Sequence, residues 1–422
     1  MKFDRWTVAL ATLGVVSWAS AAKAEEKSSS VMTALSATTL SGYVDTSAQW
    51  NFGTGNTFLP PYKFGGAAKA DGFNLDVVQL RLDKPLDEAE WAAGYRVDLW
   101  AGPDANTLGT QSTGIGTGSD FAIRQAYALL RMPLGNGLDW KVGVFDSIIG
   151  YESVESPSNP NYTRSYGHSI EPQTHTGVLA TYHFTDLVSV SAGIADTVGP
   201  TINSRAQNGS TGNFALGVAP GANAYSESYK TYMGSLALTA PDSMGFLAGS
   251  TLYGGVVNGY NNSVLGTGAG MPTLNAYAGG TIATPVTGLR LGLAWDLLNV
   301  DTKPAGPPSK LEADVWSIAT YASFQATEKL SFHGRFEYVT GDIDKATGLG
   351  VPAGGLTRFG SDNAIFALTG TVQYDLWKNV LSRIELRWDH VEHGTAFGSA
   401  DAVGTPQAEN AFMLAGNIIY KF

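Results

Sequence analysis

Residues able to do covalent chemistry are thinly spread along this chain. Gly167-His168-Ser169-Ile170-Glu171 comes nearest to a nucleophile elbow, but Glu171 stands where G-x-S-x-G needs its second glycine. Hydrolysis would also need an imidazole and a carboxylate to converge on Ser169, which adjacency in sequence does not supply. His390-Val391-Glu392-His393 carries metal-binding residue types, yet at strand spacing its two imidazoles point to opposite faces. His168, His175 and His183 read as wall or loop residues rather than ligands. The glycines of Gly266-Thr267-Gly268-Ala269-Gly270 are followed by no Lys-Ser/Thr pair, so they form no phosphate cradle. There is no cysteine, which excludes disulfides and thiolate metal sites. No enzyme activity, metal or cofactor is expected.

A denser signal lies in charges that recur at every second position. Val380 to His390 sets Arg383, Glu385, Arg387 and Asp389 against Ile384, Leu386 and Trp388. Lys329 to Val339 sets His333, Arg335 and Glu337 against Leu330, Phe332, Phe336 and Tyr338. Gln79, Arg81 and Asp83 oppose Val78, Leu80 and Leu82; Arg96 and Asp98 oppose Tyr95, Val97 and Leu99. Arg290 and Asp296 oppose Leu289, Leu291, Leu293 and Trp295. Period-two alternation is the mark of strands with unlike faces.

The composition says which solvent meets the apolar face. Charged residues make up 15% of the 422, against roughly 25% in soluble domains, and glycine is abundant at 51. After the first two dozen residues no stretch is long and apolar enough for a membrane helix. The last strand, Phe412 to Phe422, alternates apolar residues and glycine and ends on an aromatic. These features suit an all-β transmembrane antiparallel up-and-down barrel, apolar towards lipid and polar within. A lipid-facing Arg or Lys at the midplane costs roughly 2–4 kcal/mol, so the alternating charges belong inside. The pore wall expected from this is Arg81, Arg96, Asp98, Arg290, Arg335, Glu337, Arg383, Glu385 and Arg387. Its charges either stiffen the wall as paired ions or orient passing solutes by their field.

Lys2 and Arg5 precede an apolar stretch from Trp6 to about Trp18, followed by Ala22-Lys23-Ala24, the pattern of an export signal. The expected organisation is a signal peptide at 1–24, a short periplasmic segment at 25–38 and an outer-membrane barrel at 39–422. Strand-like stretches are joined by alternately long and short connections, which implies about 16 strands, long loops outside and short turns in the periplasm. Glu25 to Thr38 is too short for a substantial plug. The net charge of −11 argues against nucleic acid as a partner. Membrane lipids, small hydrophilic solutes and ions are the expected partners, and a homotrimer is the assembly to test.

The third long connection, Tyr151 to Pro172, is rich in Pro, aromatics and hydrogen-bonding side chains, which favours an ordered loop. By analogy with diffusion porins it folds into the barrel and constricts it, with Glu152, Glu155, Arg164, His168 and Glu171 facing the wall arginines. Gly150-Tyr151-Glu152, Asn159-Pro160-Asn161-Tyr162-Thr163-Arg164-Ser165-Tyr166 and Glu171-Pro172-Gln173-Thr174-His175-Thr176-Gly177 resemble the signature of the OmpL-like β-barrel porin-2 family. Leu40-Ser41-Gly42-Tyr43-Val44-Asp45 is similar to that family's opening strand. The resemblance implies an outer-membrane channel for small solutes and assigns no binding residues. The alternative is a plugged barrel whose long loops bind a ligand or partner, with a barrel lipase third.

Overall fold

The computed structural model describes residues 37–60, 62–64, 69–110, 119–207, 228–261, 271–302, 311–341, 363–402 and 404–422. The expected signal peptide and most of the segment after it lie outside these residues, as do the glycines around Gly268.

Sixteen antiparallel strands close a barrel. In chain order these are β1 (Thr39–Asn51), β2 (Gly72–Lys84), β3 (Ala92–Ala101), β4 (Phe121–Met132), β5 (Leu138–Asp146), β6 (Thr174–His183) and β7 (Val188–Ala195). A short ribbon of β8 (Ala206–Gln207) and β9 (Ser228–Tyr229) stands outside the barrel sheet. The wall resumes with β10 (Thr231–Thr239), β11 (Thr251–Asn261), β12 (Met271–Ala283), β13 (Leu289–Thr302), β14 (Leu311–Gln325), β15 (Leu330–Gly341), β16 (Asn363–Trp377) and β17 (Val380–Val391). A second ribbon, β18 (Phe397–Ala400) with β19 (Pro406–Ala408), precedes β20 (Asn410–Lys421). Closure comes from β20 pairing with β1, from Tyr43 opposite Lys421 to Asn51 opposite Met413. Every strand edge is thereby satisfied, the condition for a sheet to stand in hydrocarbon.

Two segments depart from a plain alternation of strands and loops. After β10 a tight turn at Pro241-Asp242-Ser243 would lead into a strand from Phe246, but β11 starts at Thr251, because Asp242–Leu247 forms a 3-10 turn with Gly245 at φ 60°. The second long connection, read as a plain Gly/Ser/Thr loop, begins with a helix, α1 (Pro103–Leu108), that buries Ala105 and Leu108.

The two faces separate along β17. Leu386 is 52% exposed, while its neighbours Glu385 and Arg387 are 0% and 1% exposed inside. Exposed aromatics collect at both rims, with Phe73, Phe121 and Tyr232 at one and Trp91, Phe184 and Trp377 at the other. This gives the outer surface the apolar band and aromatic girdles of an outer-membrane barrel. Leu386→Arg should therefore lower stability by roughly 2–4 kcal/mol, read as the denaturant midpoint of folding into bilayers. An unchanged midpoint would mean that this face does not meet lipid.

Candidate functional site

The connection between β5 and β6, residues 147–173, is braced by its own side chains before it touches the wall. The Asn159 amide donates to the carbonyls of Ser153 and Glu155, both at 2.7 Å, closing a turn over a 3-10 segment at Ser156–Ser158. The Arg164 guanidinium donates to the carbonyls of Ser153, Tyr162 and Val154 at 3.0–3.1 Å, so it staples the segment to itself. Ser165 caps a short helix, α2 (Tyr166–Ile170), its Oγ accepting from the His168 backbone N–H at 3.0 Å. Gly167 lies against the Asp296 carboxylate and Ser317, where any Cβ would overlap both.

From there the segment is tied to strands on many sides of the barrel interior. Glu385 on β17 accepts from the backbone N–H groups of Tyr162 (2.6 Å) and Thr163 (3.0 Å), and from the hydroxyls of Thr163 and Thr371. Arg383 donates to the carbonyls of Ser156 and Asn159. Arg335 on β15 pairs with Glu152 at 2.8 Å and Glu337 at 3.1 Å, and donates to the Thr163 carbonyl. Arg387 donates to the Arg164 carbonyl, while Glu337 accepts from the Tyr166 N–H and Asp389 from the Tyr166 hydroxyl. Across the barrel, Glu155 pairs with Arg81 and, at 3.2 Å, with Arg124. Charges and donors buried this deeply hold position only while paired.

The expected loop residues therefore divide. Glu152 and Glu155 face wall arginines. Arg164 does not; its guanidinium serves the loop's own carbonyls. His168 and Glu171 meet each other, Nδ1 to Oε2 at 3.5 Å, beside Asp296 and Lys63 rather than an arginine. On the wall, Arg96 pairs with Asp83 at 2.7 Å and Arg81 with Asp98 at 2.6 Å, each across neighbouring strands. Arg290 stands apart and lines a cavity below the loop.

Burial raises the Glu171 carboxyl well above its ordinary value, and the Asp296 and Glu152 carboxylates add to this while Lys63 opposes it. Burial also drives His168 well below the usual imidazole value, helped by Arg164, Lys63 and Arg335. The docked loop thus favours a protonated Glu171 and a neutral His168. Glu171 contributes stability while protonated and loses it as pH rises through its raised pKa. His168 contributes above its ordinary pKa and loses that as pH falls through its lowered one. Tryptic cleavage after Arg164 should therefore increase towards alkaline pH in the wild type. Glu171→Gln should flatten that limb, and an unaltered profile would contradict the assignment.

Several residues at the site escaped the sequence reading. Arg124 is 1% exposed, bonds Asp98 and Asp146, and lies 6.0 Å from the Trp100 ring centre. A register shift in β3 at Asp98/Leu99, opposite it, breaks the simple alternation that would have exposed it. Tyr62 from the first connection reaches Asp389 and lies under the Arg387 guanidinium, 4.8 Å away. The interior is also less polar than expected. Tyr166 and Ile170 pack on Leu298, Val300, Val315, Val339 and Ile365, while Ile149 joins Leu179, Met233, Val257 and Tyr321.

Free space borders the loop on one side of the barrel. A cavity of about 90 Å³ lies between the loop and β5, β6, β7, β10 and β11, lined by Glu152, His168, Thr181, Ser191, Ser235 and Tyr253. A larger one, about 740 Å³, is lined by Tyr151, Asn159, Thr251, Thr281, Arg290 and Tyr321.

The family model described as "Putative beta-barrel porin-2, OmpL-like" matches residues 37–422. No curated protein matches the chain. Among solved structures, the outer membrane channel DcaP of Acinetobacter baumannii is similar at 11% identity and a TM-score of 0.56, over 91% of this chain and 97% of that one. The anion-selective porin from Comamonas acidovorans is similar at 12% identity and a TM-score of 0.56, over 91% and 99%. The trimer form of OmpT, an outer membrane protein of Vibrio cholerae, is similar at 12% and 0.54, over 91% and 99%.

Proposed function

The chain belongs to the OmpL-like β-barrel porin-2 family, and from that premise we propose a diffusion porin whose third long connection narrows its water-filled barrel. Its place is the bacterial outer membrane, and its family points to a channel rather than an enzyme. Small hydrophilic solutes and ions would pass beside the loop, along the strands that border the two cavities. One observation carries the narrowing: Glu385, Arg383, Arg335 and Arg387 all spend hydrogen bonds on the backbone of residues 156–164. The expected pore-loop set of Glu152, Glu155, Arg164, His168 and Glu171 then acts mainly by holding the loop in place. The wall charges on β2, β15 and β17 serve as its anchors.

This differs from a charged ladder that orients solutes directly. Opposite charges paired at 2.6–3.1 Å largely cancel at a distance, so they project little net field into a distant path. A homotrimer is proposed as the assembly, prompted by the trimer form of the Vibrio cholerae barrel, and sedimentation in detergent would test it. The channel itself is tested in planar bilayers under a salt gradient, comparing wild type with a deletion inside Ser156–Ser169. Open steps that grow on deletion support a loop-narrowed porin. Steps of equal size keep the channel and discard the narrowing, and folded barrels without current would favour a plugged, ligand-binding barrel.

A further inference from the structure

Five neighbouring strands of the barrel, β6, β7, β10, β11 and β12, contain no Asp, Glu, Lys or Arg on either face. Every other arc of the wall carries ion pairs or isolated charges. Where this arc meets the smaller cavity it presents hydroxyls: Thr181, Ser189, Ser191, Ser235 and the phenol of Tyr253. Thr181 and Ser191 already share a hydrogen bond at 2.8 Å, which holds two of them in register.

The opposite side of the same cavity comes from the loop and supplies unused hydrogen-bonding groups. His168 is 2% exposed; its Nδ1 faces Glu171 Oε2 at 3.5 Å, while its Nε2 makes no hydrogen bond among the described residues. Gln173 is 5% exposed; its amide nitrogen donates to loop carbonyls at 3.3 Å, while its Oε1 has no partner. Buried polar atoms are ordinarily satisfied, so two unpartnered ones lining one cavity mark a place built to receive a partner.

The charges at the cavity's edge decide the class of that partner. Glu152 is paired with Arg335, and Asp146 with Arg124. Lys141 lies 5.1 Å over the Tyr127 ring. An anion would meet the Asp146 and Glu152 carboxylates, and a cation would meet Lys141. A neutral molecule that both donates and accepts hydrogen bonds meets neither penalty. At roughly 30 Å³ per water, about 90 Å³ holds on the order of three waters, room for one hydroxyl-bearing end of a polyol or monosaccharide.

We propose that this cavity is a permeation subsite for small uncharged polyhydroxylated solutes, polyols and monosaccharides. The proposal rests on the channel reading above and names what that channel takes. Hydroxyls of the solute bond to the serine and threonine wall on one side and to His168 and Gln173 on the other. Carbon faces of the solute lie against Leu179, Ile149 and the Tyr253 ring, which line or border the same space.

The test compares mannitol-driven swelling of proteoliposomes with potassium chloride conductance in planar bilayers. Wild type is set beside the double variant Ser191→Val with Ser235→Val, which removes hydroxyls at strand positions that accept valine well. The ratio of mannitol flux to salt conductance should fall by roughly fivefold or more, as lost hydrogen bonds to a solute imply. Gln173→Leu, which leaves the wall untouched, should lower mannitol flux in the same direction. Unchanged mannitol flux in both variants, with salt conductance intact, overturns the subsite alone and leaves a water-filled void. Absence of salt conductance in folded wild type overturns the channel reading and the subsite with it.

Discussion

Glu385→Ala should release the third connection from the wall. Glu385 is fully buried and accepts four hydrogen bonds, three of them from Tyr162 and Thr163. Removing the carboxylate strands the Tyr162 and Thr163 N–H groups and the Thr163 hydroxyl without their acceptor. The loss of anchoring is on the order of 3–5 kcal/mol, a rise of roughly 150- to 5,000-fold in the population with this part of the loop undocked. Two readouts should move together: tryptic cleavage after Arg164 accelerates, and single-channel steps become larger and noisier. The barrel itself should persist, because the Glu385 backbone still pairs with β20 at Ala415. Cleavage at the wild-type rate would show that the clamp is redundant.

Arg335→Met should be as damaging by another route. Arg335 is 1% exposed and stands between the Glu152 and Glu337 carboxylates while donating to the Thr163 and Arg164 carbonyls. Taking it away leaves two buried carboxylates without their shared cation, at a cost of roughly 3–5 kcal/mol. Adding Glu152→Gln should restore part of the loss, with a coupling of roughly 0.5–3 kcal/mol in a double-mutant cycle on loop proteolysis. Strict additivity would mean that the pair at 2.8 Å does not carry the docking.

The barrel was legible because lipid imposes a rule on every strand. Alternation in Val380–Val391 placed Arg383, Glu385 and Arg387 inside, and they are buried there. The turn after β10 is harder to read, because Gly245 at positive φ opens a longer detour than a tight Pro241-Asp242-Ser243 turn would. The site was harder to read. Alternation says that a charge points inward, but not whether it meets water or another segment. That depends on the path of residues 147–173 in space. So Glu152 and Glu155 could be matched with arginines by charge alone, while Arg164 turned back onto its own carbonyls and Glu171 settled beside another carboxylate. Tyr62 and Arg124 gave no local signal, since one comes from a different connection and the other follows a register shift. The strands β6, β7, β10, β11 and β12 show their lack of charge in the sequence, but not that the two cavities lie beside the loop on that side of the wall.

The chain has no native cysteine, so a single introduced thiol reports access without background. Ser191→Cys, on the uncharged arc, is compared with Ala415→Cys, which is buried inward on β20 beneath Tyr62 and the first connection. Each is exposed to a hydrophilic thiol reagent while current flows through a planar bilayer. The account predicts that the reagent reduces current through the Ser191→Cys channel and leaves the Ala415→Cys channel unaffected. Block at Ala415→Cys with none at Ser191→Cys would place the path on the anchored side and contradict it.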